Sequence, residues 1–175
     1  SPPLEKIVNV INQESVNLYA EHLLKELAKH TGKTGTTSAG LEVLMNFLKA
    51  TGINTSGLFA EDGSGLSPLN AITSRSMAEL LVHMRKRPEN SDSFYNSLPL
   101  AGTGTLKSSF NFPAISGRIR AKSGSMTRVR SYAGYITAQS GKEFAFCILV
   151  GNFSGSSRPI VAGIEKIVSE TILNN

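Results

Sequence analysis

The sequence has 175 residues, 40% of them hydrophobic and 18% charged, which is enough for one ordinary core and short for two. Its 18 Lys and Arg against 13 Asp and Glu give a net charge of +5, which permits an anionic partner but selects none. No nucleic-acid-binding signature is present, and no apolar run approaches the roughly 18 residues of a membrane span, which argues against nucleic-acid binders and membrane-spanning chains.

Apolar residues recur at helical spacing through the first part of the chain and predict four helices. Pro at a first helical position, Ser or Thr at a cap, and Gly or Pro after the last turn mark their ends. A glycine- and serine-rich loop, LFAEDGSGLSPLNAIT, precedes the fourth helix. We predict helices from Ser1 to about Asn12, from Asn17 to the glycines at 32 and 35, from a Thr37 or Ser38 cap to Gly52, and from Ser74 or Ser76 to Pro88.

The second part of the chain is rich in β-branched and aromatic residues and predicts a sheet. We expect three antiparallel strands near residues 118–124, 129–138 and 142–151, with Cys147 in the core and without an internal disulfide. Apolar residues from Ile160 to Ile172 predict a last amphipathic helix on the sheet. The predicted fold class is therefore α+β, in a single domain or part of one, with a helical region of about 1–100 and a sheet with a C-terminal helix of about 115–175.

Two tripeptides of the form Lys-(Ser/Thr)-Gly stand in different contexts. Lys122-Ser123-Gly124 lies in the first predicted strand, where a lysine can point into a cleft while the main chain pairs with an extended peptide. Lys33-Thr34-Gly35 lies between two helices beside Gly32, where a glycine-rich turn with a solvated lysine is expected. The context favours the copy at Lys122.

Two tripeptides of the form Ser-x-Asn are also present. Ser15-Val16-Asn17 lies at a helix break, where a hydroxyl could relay a proton and an amide could hold a carbonyl. Ser109-Phe110-Asn111 lies in a polar loop before Pro113 and is expected to be a chance match. Taken alone, the first copy is better explained by Ser15 as a plain N-cap of the second helix.

Four segments in order narrow these alternatives: INQESVNLYAEHLLKEL, EDGSGLS, SLPLAGTGTL and AKSGSMTRVRSYAGYITAQSGKEFAF. Across nearly the whole chain they resemble the C-terminal half of D-alanyl-D-alanine carboxypeptidases/endopeptidases of the penicillin-binding protein 4 type, low-molecular-mass class C. The resemblance implies part of the DD-peptidase fold shared with β-lactamases. It also implies an extracytoplasmic enzyme, in the periplasm or cell envelope, that cleaves peptidoglycan stem peptides through an acyl-enzyme and is acylated by β-lactam antibiotics.

The resemblance also assigns roles to single residues. Ser15 matches the residue that transfers a proton to the leaving amine, and Asn17 the one that holds the substrate amide. Lys122 supplies positive potential and a hydrogen bond toward Ser15, so these three catalytic residues are expected at one cleft edge. The substrate-binding residues are Ser123 at the substrate carboxylate, Gly124 beside it, and Ser125, whose backbone N–H is one oxyanion donor.

Two departures from the family pattern stand out. Pro68 follows the EDGSGLS segment where many relatives carry arginine, which puts any ligand contact at that position in doubt. No lysine in the chain has a serine three residues before it, so the Ser-x-x-Lys motif that supplies the nucleophile is absent. We therefore expect a fragment that begins just before the second motif and is inactive by itself.

Other functions remain open from sequence alone. A non-catalytic cell-wall-binding module would keep the cleft without the nucleophile, and a β-lactamase or esterase relative would share only the Lys-(Ser/Thr)-Gly. The three histidines, His22, His30 and His83, have unrelated spacings, so we predict neither a metal site nor a cofactor.

Overall fold

The computed structural model describes all 175 residues and contains six α-helices and three strands. No helix is both long enough and apolar enough to cross a membrane. Two short 3₁₀ turns, Gly104–Leu106 and Pro113–Ile115, lie between the helical part and the sheet. In chain order the elements are α1 (Leu4–Glu14), α2 (Asn17–His30), α3 (Thr37–Ala50), α4 (Ser74–Arg85), α5 (Ser91–Ser97), β1 (Ile119–Met126), β2 (Val129–Thr137), β3 (Glu143–Gly151) and α6 (Arg158–Leu173).

The three strands form one antiparallel sheet in the order β1-β2-β3, so β1 and β3 are its edges. Successive side chains of a strand point to opposite faces, and each face of this sheet has its own helical cover. On one face α6 buries an apolar cluster that includes Ile119, Tyr132 and Ile164. On the other face lies α4, where the buried Tyr135 hydroxyl donates to the Leu81 carbonyl at 2.7 Å. Lys122, a residue of the site described below, points to this second face.

Helices α2 and α3 pack closely, and a glycine makes this possible. A Cβ atom at Gly40 on α3 would collide with the Leu24 carbonyl on α2. Leu24 of α2 and Leu48 of α3 are both buried, 5% exposed each. The α2–α3 hairpin is thus a rigid support for the first turn of α2.

The predicted α+β order of helices, antiparallel sheet and C-terminal helix is confirmed, with small differences at the ends. Helices α3 and α4 each have their cap one residue before the earlier of the two predicted cap residues. Thr36 accepts from the Ala39 N–H at 3.2 Å, and Thr73 accepts from the Ser76 N–H at 3.0 Å. In each case the capping hydroxyl belongs to the residue before the first helical one, as capping geometry requires.

Helix α5 was not predicted, because its seven residues, SDSFYNS, have no apolar periodicity. Tertiary contacts stabilise it instead. Arg85 at the end of α4 donates to the Ser91 hydroxyl at 2.9 Å and to Asp92 at 3.1 Å. Cys147 also differs from prediction: it is half-buried beside α4 rather than fully buried, since the edge strand β3 is only partly covered. Burial still raises the pKa of its thiol to about 11.

Candidate active site

Ser15 occupies the break between α1 and α2 in an unusual backbone conformation. Its φ of +57° and ψ of +49° are left-handed, a region that few residues other than glycine adopt. This conformation ends α1 and leaves the Ser15 side chain exposed. Ser15 is not an N-cap of α2: that position is Val16, and no side chain caps the helix. Asn17, the first residue of α2, is exposed two positions later.

Lys122 reaches Ser15 from β1. Its Nζ donates to Ser15 Oγ at 3.0 Å and to the Ser123 carbonyl at 2.7 Å, and this is the proximity that the sequence predicts. Burial lowers the pKa of Lys122 below its ordinary value. All five ion pairs in the structure involve other residues, so no carboxylate neutralises this ammonium. A half-buried cation without a counter-ion at a hydroxyl is an arrangement that stabilises negative charge on a bound ligand.

The outer edge of β1 is paired over only part of its length. The Ala121 N–H donates to the Pro99 carbonyl and the Ala101 N–H to the Ile119 carbonyl, both at 3.0 Å. Since alternate residues of a strand direct their backbone groups to the same side, Ser123 and Ser125 direct theirs to this edge as well. No segment pairs with the edge there. The Ser125 N–H is therefore free to donate to an extended ligand.

The side chains along this edge alternate between the two faces. Ser123 lies opposite Tyr132 in the register, and Lys122 lies opposite Ala133. Residues paired in this way share a face, so Ser123 and Lys122 point to opposite faces of β1. A ligand lying along the edge would be approached from both sides, by Lys122 and Ser15 from one and by Ser123 from the other.

The EDGSGLS loop is docked on α2 by a residue that the sequence analysis missed. Glu21 accepts hydrogen bonds from the backbone N–H groups of Gly63 at 3.2 Å and Ser64 at 2.9 Å. Hydrogen bonds led by the Ser64 side chain lower the pKa of Glu21. Its position four residues after Asn17, on the same helical face, was the available signal. Gly63 permits this approach, because a Cβ there would lie 2.7 Å from the Ala20 carbonyl oxygen.

Within the loop, Asp62 organises the backbone. It accepts from the N–H groups of Gly65 and Ser67, both at 2.6 Å, and from the Asn70 side chain at 2.9 Å. Burial would raise the pKa of Asp62, but these hydrogen bonds outweigh it and lower the pKa. Pro68 has no N–H to donate and fits between these anchored positions.

The other motif copies lie away from this site. Lys33 is exposed in the turn after α2 and pairs with Glu42 at 2.6 Å. Phe110, the middle residue of the second Ser-x-Asn, is 1% exposed in the cluster under α6, and its N–H donates to Glu165 at 2.7 Å. No group of three His, Cys, Asp or Glu residues is arranged to bind a metal ion.

Known proteins resemble this chain in sequence. The chain is 34% identical over 161 residues to a D-alanyl-D-alanine carboxypeptidase of Actinomadura sp. (strain R39), covering 89% of this chain and 30% of that protein. It is also 34% identical to the penicillin-sensitive carboxypeptidase A of Dictyostelium discoideum, covering 96% of this chain and 34% of that protein. The chain therefore spans about a third of the length of these relatives.

Solved structures share its fold. Penicillin-binding protein 4 of Haemophilus influenzae, in complex with a β-lactam, superimposes with a TM-score of 0.89 at 23% identity, covering 98% of this chain and 42% of that one. A predatory endopeptidase of Bdellovibrio bacteriovorus, in complex with an immunity protein, gives a TM-score of 0.79 at 26% identity, covering 98% and 44%. The resemblance to the penicillin-binding protein 4 type is confirmed. A sequence profile described as the D-Ala-D-Ala carboxypeptidase 3 (S13) family matches residues 1–169, and the chain belongs to this family.

Proposed function

We propose that this chain forms the second and third motifs of a serine DD-peptidase that cleaves D-Ala-containing peptidoglycan stem peptides through an acyl-enzyme. One observation carries the proposal. Lys122 Nζ and Ser15 Oγ, separated by 107 positions in sequence, are 3.0 Å apart beside an open strand edge. Membership of the S13 family supports the reaction class, and the β-lactam complex of the penicillin-binding protein 4 relative supports acylation by these antibiotics.

In this proposal the residues act in sequence. A serine nucleophile attacks the carbonyl of the scissile D-Ala peptide bond, and the Ser125 N–H donates to the oxygen that becomes negative. The lysine of the Ser-x-x-Lys motif, which lies with the nucleophile outside these residues, takes the proton of the attacking hydroxyl. That proton is returned through Ser15 to the leaving amine as the C–N bond breaks, which leaves an acyl-enzyme. The Lys122 ammonium holds the Ser15 oxygen and stabilises the negative charge of the intermediate. Water later attacks the ester and releases the shortened peptide.

Substrate positioning is assigned to the remaining site residues. The Asn17 side chain holds a substrate amide beside the first turn of α2. Ser123 binds the terminal carboxylate at the β1 edge. Gly124, next to it, has no side chain that could obstruct the ligand. No serine lies three residues before any lysine in the 175 residues, so the proposal assigns the nucleophile to residues outside them. The 175 residues would then be the C-terminal part of an extracytoplasmic peptidase domain, with a helical region of about 1–100 and a sheet region of about 115–175.

A fluorescent penicillin tests this function on the 175-residue chain and on the full-length protein. We expect a covalent adduct on the full-length protein only, at a serine followed three residues later by lysine. We also expect Ser15→Ala to slow its formation about 100-fold or more, because the proton relay is lost. Intact mass before and after incubation gives the readout.

Two other outcomes would redirect the proposal. An adduct on the isolated chain would show that the nucleophile lies within these residues. A full-length protein that binds stem peptides but forms no adduct would favour the non-catalytic cell-wall-binding module, whose supporting observation is the missing Ser-x-x-Lys.

A further inference from the structure

The SLPLAGTGTL segment has no role in the chemistry above, yet it contacts α1, which ends at the Ser-x-Asn motif, and β1, which carries the Lys-Ser-Gly motif. We define residues 97–104 as the bracket segment. Along β1 it pairs through the Pro99 carbonyl and the Ala101 N–H, and Arg120 donates to the Leu98 carbonyl at 3.2 Å. These bonds tie the bracket segment to the strand that carries Lys122.

The other side of the bracket segment holds the end of α1. Gln13 Nε2 donates to the Ser97 carbonyl at 2.8 Å, and Asn12 Nδ2 donates to Ser97 Oγ at 2.7 Å. Ser97 is 2% exposed, and its hydroxyl also donates to the Phe94 carbonyl at 2.6 Å. Gln13 stands two residues before Ser15, so these bonds fix the point from which the left-handed turn begins.

A glycine shows how closely the two parts approach. Gly104 has a φ of +48°, and a Cβ there would lie 2.7 Å from the Gln13 side-chain oxygen and 2.9 Å from its carbonyl oxygen. The same Cβ would lie 3.4 Å from Pro99, so Gly104 fits between α1 and the residue that pairs with β1. The approach leaves little room for Gln13 to shift.

We propose that Gln13 is a positioning residue: through the bracket segment it sets the distance between Ser15 Oγ and Lys122 Nζ. Only one polar contact, from Lys122 Nζ to Ser15 Oγ, joins the two motifs directly. The Lys122 side chain is long and Ser15 is exposed, so this contact alone leaves both side chains room to move. The bracket segment supplies a second connection, through backbone hydrogen bonds, between α1 and β1. The inference rests on the proposed function, since it concerns the reaction assigned to this site.

The test compares Gln13→Met with Asn111→Leu in the full-length protein. Each change replaces an amide by an apolar side chain of similar size, adds no charge, and removes one hydrogen bond to a main-chain carbonyl. Asn111 donates to the Lys107 carbonyl at 3.0 Å, and its side chain lies beside Gly102 of the bracket segment without a hydrogen bond to α1. It is therefore the matched control for a hydrogen bond lost near the bracket segment while the bonds to α1 are kept. The measurements are the rate of acylation by a fluorescent penicillin, the melting temperature, and the pKa of Lys122 by NMR of ¹³C-labelled lysine.

We expect Gln13→Met to slow acylation about 10- to 100-fold, because small misplacements of reacting groups have effects of this order. Its Lys122 pKa should rise toward the ordinary value as the ammonium becomes more solvated. Asn111→Leu should match the native protein in both respects, with a melting temperature close to that of Gln13→Met.

Three results separate the possible failures. Native acylation and a native Lys122 pKa in Gln13→Met would overturn the positioning role, as would equal slowing in both variants. If Lys122→Ala acylates at the native rate, the proposed function fails instead. Even then, a shifted Lys122 pKa in Gln13→Met, with an unshifted one in Asn111→Leu, would support the coupling of Gln13 to Lys122.

Discussion

The same tripeptide pattern occurs in two regions of this molecule with opposite surroundings. Lys122 stands on an edge strand, half-buried, with neutral oxygen atoms as its hydrogen-bond partners. Lys33 stands in a turn, exposed, with Glu42 as an ion-pair partner. A lysine with a carboxylate partner has its charge compensated, whereas one without remains available to a ligand. The difference teaches that backbone context, rather than the tripeptide itself, determines the chemistry of the lysine.

The largest expected difference between the two regions is in acylation. In the full-length protein Lys122→Met should slow the reaction with a fluorescent penicillin by at least about 100-fold, because it removes the cation from the intermediate. Lys33→Met should react at the native rate. Labelling reactions quenched at a series of times give the second-order rate constants of the two variants. Equal rates for the two variants would remove the distinction between the copies.

A smaller difference is expected at the two glycines. A Cβ at Gly124 would collide with the Ser131 hydroxyl on β2. A Cβ at Gly35 would crowd the flexible Lys29 side chain, at 2.9 Å, and would lie at an ordinary contact distance of 3.7 Å from the Lys25 carbonyl oxygen. Gly124→Ala should lower the free energy of unfolding by about 1 to 3 kcal/mol, as overpacking does. Gly35→Ala should change it by less than about 0.5 kcal/mol.

Denaturant midpoints measure these changes, and a double variant sharpens the comparison. Adding Ser131→Ala to Gly124→Ala removes the hydroxyl in the way and should restore most of the lost stability. If the double variant is no more stable than Gly124→Ala, the collision at Ser131 is not the cause.

The smallest effect concerns stability and its dependence on pH. The pKa of Lys122 is lowered by burial, so its charge destabilises the folded chain at neutral pH, and Lys122→Met should raise the melting temperature. The stability difference between Lys122→Met and the native protein is at its full size below the lowered pKa of Lys122. It shrinks as the pH rises from there to about 10.4, the ordinary pKa of lysine. Lys33→Met loses an exposed ion pair and should lower stability by at most about 1 kcal/mol. Melting curves between neutral pH and pH about 10.5 measure this. A melting-temperature difference between Lys122→Met and the native protein that grew with pH would contradict the prediction.

Much of the fold could be predicted because its elements have a clear apolar period. α6 and the three strands lie within a few residues of their predicted places, since alternation and helical spacing mark buried faces directly. Helix α5 could not be predicted, because Arg85 stabilises it from another helix. A contact between two helices of this kind leaves no periodic pattern in a single sequence.

The candidate site could be predicted in part. The meeting of Ser15 with Lys122 was expected from motif roles, and the structure gives their separation. The docking of the EDGSGLS loop on Glu21 and the contacts of the bracket segment were not expected, because these bonds go mainly to backbone N–H and carbonyl groups. Backbone partners leave no signature in side-chain identity, and for Glu21 the sequence offers only its helical spacing from Asn17.

The open edge of β1 has a consequence for the behaviour of the protein in solution. Unpaired N–H and carbonyl groups on a strand edge can pair with the edge of a second copy as readily as with a peptide, and such pairing leads to aggregation. Lys122 beside Ser123 opposes this, because two such edges brought together would place like charges near each other. The lysine would thus protect the protein against self-association, and solutions of Lys122→Met should aggregate at lower concentrations than those of the native protein.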